Sequence, residues 1–238
     1  MFNGFQIRPP FFEIGPKAYL YGDEMLSLAK VIDRVAYKYD VDIIVTPQYT
    51  DIRLLAENTS RILIFAQHMD HLHAGRGLGS VLPEAVKAAG ASGVMLNHAE
   101  KKLTLDEIEK TIRRADETGL ATIVCAGTID EISAVAHLGP NLIVAEPEEL
   151  IGTGKTSDIS YVRSTIETVK AINPRIMVLQ GAGISNGKDV YNIIMAGAMA
   201  TGSTSGVIKA EDPAAMVEEM IYSLRKAWDI LHSEKKEI

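Results

Sequence analysis

The chain has 238 residues, 47% of them hydrophobic, with 31 acidic against 24 basic side chains and a formal net charge of -7. That apolar content excludes a disordered protein and suffices for one large α/β domain or two small ones. The acidic balance argues against nucleic acid or an anionic membrane surface as a partner. Cys125 is the one cysteine, so no internal disulfide can form; lying inside "ATIVCAG", it is expected to be an inert buried thiol in a reducing, cytoplasmic setting. The N-terminal "MFNGFQIRPPFFEIG" lacks a basic-then-apolar leader. No apolar run approaches the roughly 18 residues that a bilayer span requires.

In chain order, eight short apolar runs have the character of buried strands: "FFEI" (11–14), "DIIVT" (42–46), "ILIFAQ" (62–67), "GVMLN" (93–97), "ATIVC" (121–125), "NLIVAE" (141–146), "RIMVLQ" (175–180) and the weaker "AMATGS" (198–203). Amphipathic segments separate them, such as "DEMLSLAKVIDRVAYKY", "LTLDEIEKTIRRADETG" and "AAMVEEMIYSLRKAWDILH". Thr104 and Glu107 form a capping-box pattern, with Gly119 as the stop of that helix. Trp228 and Leu231 of the last helix are expected to pack on the body of the protein, and its charged end to fray into solvent.

Continuous apolar strands alternating with helices imply a parallel sheet, and eight such units in about 240 residues fit an α/β fold with a single (β/α)8 barrel spanning 1–238. A doubly wound sheet is the runner-up; the first strand is not followed by GxGxxG. No Pro, Gly or Ser-rich linker divides the chain. In a barrel the chemistry sits at the C-terminal ends of the strands. Four places there carry suitable residues: Lys17 past "FFEIGP", "NHAE" at 97–100, Glu146 with the "PEELIGTG" behind it, and the loops "GAGIS" (181–185) and "STSG" (203–206).

A carboxylate ending the run "LIVA" is partly desolvated, which suits a general base. Successive glycine loops after the last two strands are where barrels commonly hold a phosphate on backbone N–H groups. "GTGKT" is not a nucleotide P-loop, because Glu149 stands where the first glycine would be needed. "QHMDHLH" brings His68, Asp70, His71 and His73 together in sequence, but the spacing suits a solvated or interface loop better than a metal site, and no metal is expected.

The order Lys17, "NHAE", "AEPEELIGTG", "GAGIS", "SGVIKA" resembles triosephosphate isomerase over nearly the whole chain, especially its shorter archaeal-type members. The resemblance implies a TIM barrel and a cofactor-free aldose–ketose isomerisation of a small phosphorylated sugar. The roles of glutamate base, neutral histidine electrophile and closing loop in that enzyme are established examples of catalysis. By resemblance Glu146 is the base, His98 the electrophile, Lys17 the cation on the substrate, and Glu100 that lysine's acidic partner. Pro147 and Gly152, Thr153 and Gly154 would be the hinges of a lid. Gly152, Thr153, Gly154, Gly181, Ala182, Gly183, Ser185, Thr204, Ser205 and Gly206 would surround the phosphate. A homodimer or homotetramer is implied.

Three positions depart from the family pattern. Gly15 stands where an asparagine is usual, Leu78 where the third loop usually presents a threonine to a neighbouring subunit, and Ala99 where a serine usually supports the base. The strand-eight loop also carries extra hydroxyls at Ser203 and Thr204. Triose phosphate isomerisation is the primary expectation. The alternatives are the same chemistry on another small phosphosugar, such as a tetrose phosphate, and a non-catalytic paralogue that binds a phosphometabolite.

Overall fold

The computed structural model describes residues 1–181 and 183–233. Its strands are β1 (Phe11–Ile14), β2 (Asp42–Val45), β3 (Leu63–Ala66), β4 (Gly93–Leu96), β5 (Ala121–Ala126), β6 (Leu142–Ala145), β7 (Met177–Gln180) and β8 (Ala200–Ser203). They run parallel in sequence order and close into a barrel, β8 pairing with β1 through Phe11↔Ala200 to Ile14↔Ser203. All eight expected strands form. Most are shorter than their apolar runs, so that Thr46, Asn97 and Glu146 lie just past strand ends, where βα loops begin.

The helices are α1 (Gly22–Tyr39), α2 (Ile52–Asn58), α3 (Pro83–Ala88), α4 (Leu105–Thr118), α5 (Ile129–Leu138), α6 (Ile159–Ile172), α7 (Gly187–Met195), the single turn α8 (Ser205–Ile208) and α9 (Pro213–Ser233). Local chemistry sets several of their ends. Thr104 and Glu107 make the expected reciprocal box at the start of α4, and Gly119 closes that helix at φ 71. Thr128 and Glu131 repeat the device on α5. Trp228 and Leu231 pack against the core as expected, and Trp228 stacks on His232 at 3.8 Å between ring centroids. The charged end at 234–238 lies outside the described residues.

Alternation along each strand divides the apolar side chains into two sets. One lies between strands and helices, including Phe12, Ile14, Ile43, Val45 and Ile143. The other fills the barrel with Phe11, Ile44, Phe65, Ile123, Leu142 and Leu179. This inner plug is so tight that a Cβ at Gly93 would lie 2.2 Å from the Phe65 ring. The plug closes the barrel below and leaves a cavity above it, at the C-terminal ends of the strands. No helix among the described residues is long and apolar enough to cross a membrane.

Candidate active site

That cavity has a volume of about 390 Å³, and Lys17, His98, Glu100 and Glu146, drawn from the loops after β1, β4 and β6, all line it. Chain segments more than 100 residues apart thus supply one site.

Lys17 follows β1 after Gly15 and Pro16 and adopts φ 50, a left-handed conformation that costs a non-glycine residue roughly 1–2 kcal/mol. Two amides hold it there. Gln48 Nε2 and Gln67 Nε2 donate to the Lys17 carbonyl at 2.7 and 2.9 Å, and Gln67 also reaches the Thr46 carbonyl. The turned backbone sends Lys17 Nζ over the cavity to Glu100 Oε1 at 2.9 Å. The ammonium holds the Glu100 carboxyl below its ordinary range.

Asn97 is also left-handed, at φ 58. Its Oδ1 accepts from Leu103 N and its Nδ2 donates to the Cys125 carbonyl, both at 2.9 Å, which fastens the β4 loop to β5. His98, the next residue, is thereby held over the cavity. The Glu100 backbone N–H donates to His98 Nδ1 at 3.1 Å, so this nitrogen carries no proton and the hydrogen of the neutral ring resides on Nε2. Nε2 faces Glu146 Oε2 at 3.9 Å. Burial, and after it the charge of Lys17, pushes the His98 pKa below 6.5, which keeps the imidazole neutral at pH 7. The site therefore presents a neutral N–H donor opposite a carboxylate.

Glu146 begins the loop after β6, and its own N–H is bonded to the Ala126 carbonyl at 3.0 Å. Its side chain is 17% exposed. Behind it the segment expected to act as a lid starts at Pro147, forms a single 3-10 turn at Glu148–Leu150, and continues through Gly152 and Gly154, both with positive φ. Lys102 of the β4 loop forms an ion pair with Glu148, and the Thr153 hydroxyl donates to the Leu150 carbonyl. Where this segment ends, its backbone meets the β7 loop: a Cβ at Gly183, whose φ is 73, would lie 1.9 Å from the Lys155 carbonyl oxygen.

Of the residues expected around a phosphate, Gly152, Gly181, Gly183, Thr204 and Ser205 line the cavity. Thr153, Gly154, Ser185 and Gly206 are not among its lining residues. Ser185 N–H is already given to Asp189 Oδ2 at 3.0 Å and its hydroxyl to the Gly183 carbonyl. Gly206 instead permits close packing, since a Cβ there would lie 2.6 Å from the Ile184 carbonyl oxygen and from Ser203 Oγ. Ala182 lies outside the described residues.

The sequence reading passed over Glu13, a carboxylate on the inward face of β1. It is 8% exposed, lines the cavity and accepts the Thr46 hydroxyl at 2.9 Å. Burial raises its pKa from 4.5 to about 7. Its signal was an acid within the run "FFEI", one residue out of phase with the outward-facing Phe12 and Ile14. Gln48 and Gln67 gave no such signal. Cys125 also faces the cavity, but burial pushes its thiol pKa far up, as an inert strand cysteine requires.

The histidine-rich loop serves its own architecture. Asp70 pairs with His68 Nε2 at 3.3 Å and accepts Val81 N–H at 2.7 Å, closing the segment between β3 and α3. Among the described residues no three His, Cys, Asp or Glu side chains converge as metal ligands. At the far end of the loop the Leu78 side chain is fully exposed.

A family profile described as triosephosphate isomerase matches residues 16–220. The chain is 41% identical over 203 residues to the triosephosphate isomerase of Methanothermus fervidus, covering 84% of this chain and 91% of that protein. It is 41% identical over 217 residues to that of Methanobacterium bryantii, covering 89% and 96%. With the enzyme of Sulfurisphaera tokodaii it shares 37% over 228 residues, 94% and 99% of the two chains. A closed eight-stranded barrel, a site at the C-terminal ends of its strands and these similarities lead to one assignment: the chain belongs to the triosephosphate isomerase family.

Proposed function

We propose that the protein interconverts dihydroxyacetone phosphate and glyceraldehyde 3-phosphate, with Glu146 as base and His98 as electrophile. The observation that carries this reading is the pairing of His98 and Glu146 across the cavity, with His98 Nδ1 occupied by Glu100 N–H so that Nε2–H points inward. Glu146 would take the proton from the carbon beside the carbonyl and return it to the neighbouring carbon. His98 Nε2–H would polarise the carbonyl and pass protons between the two oxygens. Because the imidazole is neutral, its Nε2–H is close in acidity to an enediol, so a proton could pass either way between His98 and the enediolate oxygens. Lys17 would attract the dianionic substrate and balance charge developing on the enediolate. The lid would exclude water, which otherwise promotes loss of phosphate from the intermediate.

Gly152, Gly183, Thr204 and Ser205 are the phosphate-side residues this reading uses most directly. The other expected contacts, Thr153, Gly154, Ser185 and Gly206, would act through hinge and loop packing in the closed state. The whole chain would work as one cytoplasmic barrel domain without cofactor, as a homodimer or homotetramer joined through the loop that carries Leu78. Sedimentation of the native protein against Leu78→Asp tests that assembly; a weight unaffected by the substitution would reject Leu78 as its anchor.

Purified protein should convert either triose phosphate to the other in a coupled assay, and in D2O should introduce deuterium into the product at the carbon to which Glu146 returns the proton. A folded protein with no turnover of either triose phosphate overturns the proposal.

A further inference from the structure

Proton transfer as proposed gives the carboxyl of Glu13, which lines the cavity, no work. Glu13 is buried below the catalytic side chains, and its neighbours converge on Gly15. A Cβ built at residue 15 would lie 3.0 Å from Glu13 Oε1, 3.1 Å from Thr46 Oγ1 and 3.4 Å from Thr204 Oγ1. Three side-chain oxygens, from the β1, β2 and β8 segments, therefore approach one point on the cavity wall. They do so because residue 15 has no side chain. Gly202 and Gly181 continue the pattern: a Cβ at Gly202 would lie 3.0 Å from Glu13 Oε2, and one at Gly181 2.9 Å from Glu146 Cβ. Both carboxyl groups are thus flanked by positions without side chains.

Packing does not call for this arrangement. The layer below is filled by Phe11, Ile44 and Phe65, and an apolar residue at position 13 would continue that layer without desolvating a carboxyl. Polar groups placed in an otherwise apolar pocket fix the orientation of ligand hydroxyls. A triose phosphate has two oxygens outside its phosphate, and the proposed reaction engages both with His98 and Lys17 while Glu146 works on the carbons between them. It has no hydroxyl left for Glu13. A four-carbon phosphosugar has one more, on the added carbon.

We infer that Glu13, oriented by Thr46 and left accessible by Gly15, is a specificity-determining residue that binds the additional hydroxyl of a four-carbon ketose or aldose phosphate, extending the isomerase to that substrate class. The inference rests on the proposed isomerase reaction. Its alignment would put the added hydroxyl within reach of the Glu13 carboxyl while the reacting carbons stay between His98 and Glu146. A site built to pair a substrate hydroxyl discriminates strongly against ligands or variants lacking one partner.

The test is kcat/KM for erythrulose 4-phosphate and for dihydroxyacetone phosphate, measured on the native protein and on Glu13→Val, Glu13→Gln and Gly15→Ala, with thermal melts reporting folding. The native protein should isomerise both substrates. The ratio of four-carbon to three-carbon kcat/KM should fall about tenfold or more in Glu13→Val and Gly15→Ala, and less in Glu13→Gln, which keeps an acceptor for Thr46. Should Glu13→Val not fold, the comparison rests on the other two. Turnover of the triose alone by the native protein overturns the inference and leaves the isomerase reading standing. So does a ratio unaffected by the folded variants. No turnover of either substrate by folded protein removes the isomerase reading first, and the inference with it.

Discussion

Replacing Glu13 with glutamine should make the protein's stability less sensitive to pH, and the size of the effect follows from the site. The carboxyl is buried on the inward face of β1, which raises its pKa from 4.5 to about 7. Below pH 4.5 it is protonated in both folded and unfolded chains and gives no pH dependence. Between pH 4.5 and about 7 the unfolded chain releases the proton first, so native stability falls as pH rises, reaching its full loss above pH 7. At 1.36 kcal/mol per pH unit the loss is about 3 kcal/mol. Glutamine does not titrate and can still accept the Thr46 hydrogen bond. The stability of Glu13→Gln relative to the native protein should therefore rise by about 3 kcal/mol between pH 4.5 and pH 8. Comparing the two pH values removes the constant cost of burying an amide. Urea unfolding at both pH values measures the change; in thermal melts it corresponds to about 6–12 °C for a chain of this size. A gap that does not grow with pH would refute the placement of a titrating carboxyl in the barrel interior.

Glu146→Gln should lower kcat by about 10²- to 10⁴-fold with little change in melting temperature, since it removes the proposed base and keeps the shape. Ring 15N shifts should show His98 neutral at pH 6.5 with the hydrogen on Nε2; a doubly protonated ring at that pH would contradict the Glu100 N–H to Nδ1 bond. Gln67→Ala should cost about 1–3 kcal/mol in urea unfolding and raise KM, because it withdraws an amide from the Lys17 and Thr46 carbonyls. Gly183→Ala would put a Cβ 1.9 Å from the Lys155 carbonyl oxygen at a φ of 73. It should speed proteolysis of the lid at 148–155, and an unchanged cleavage rate would mean that the β7 loop does not anchor it.

Much of the fold was legible in the sequence because its cues are local. Apolar runs, helical spacing and the Thr104–Glu107 box each act within a few residues, so the eight strands, their order and the cap of α4 could be read directly. The position of Glu146 after an apolar run was equally local, and it brought the proposed base to the strand end where barrels do their chemistry. Contacts between distant segments were hidden. Glu100 and Lys17, 83 residues apart, were paired only through the family resemblance, and Glu13 and Thr46, 33 apart, not at all; barrel closure makes each pair neighbours. The left-handed turn at Lys17 depends on Gln48 and Gln67, whose types announce nothing in a linear reading. The proton position on His98 is set by one backbone N–H in a folded loop. Sequence alone determined which residues could do acid–base chemistry and where on the barrel they would emerge, since strand periodicity is a property of the local chain. Which of their atoms face one another, and which carboxyl is held out of water, was decided by the tertiary structure, because hydrogen-bond geometry and desolvation arise only when remote segments enclose a common space.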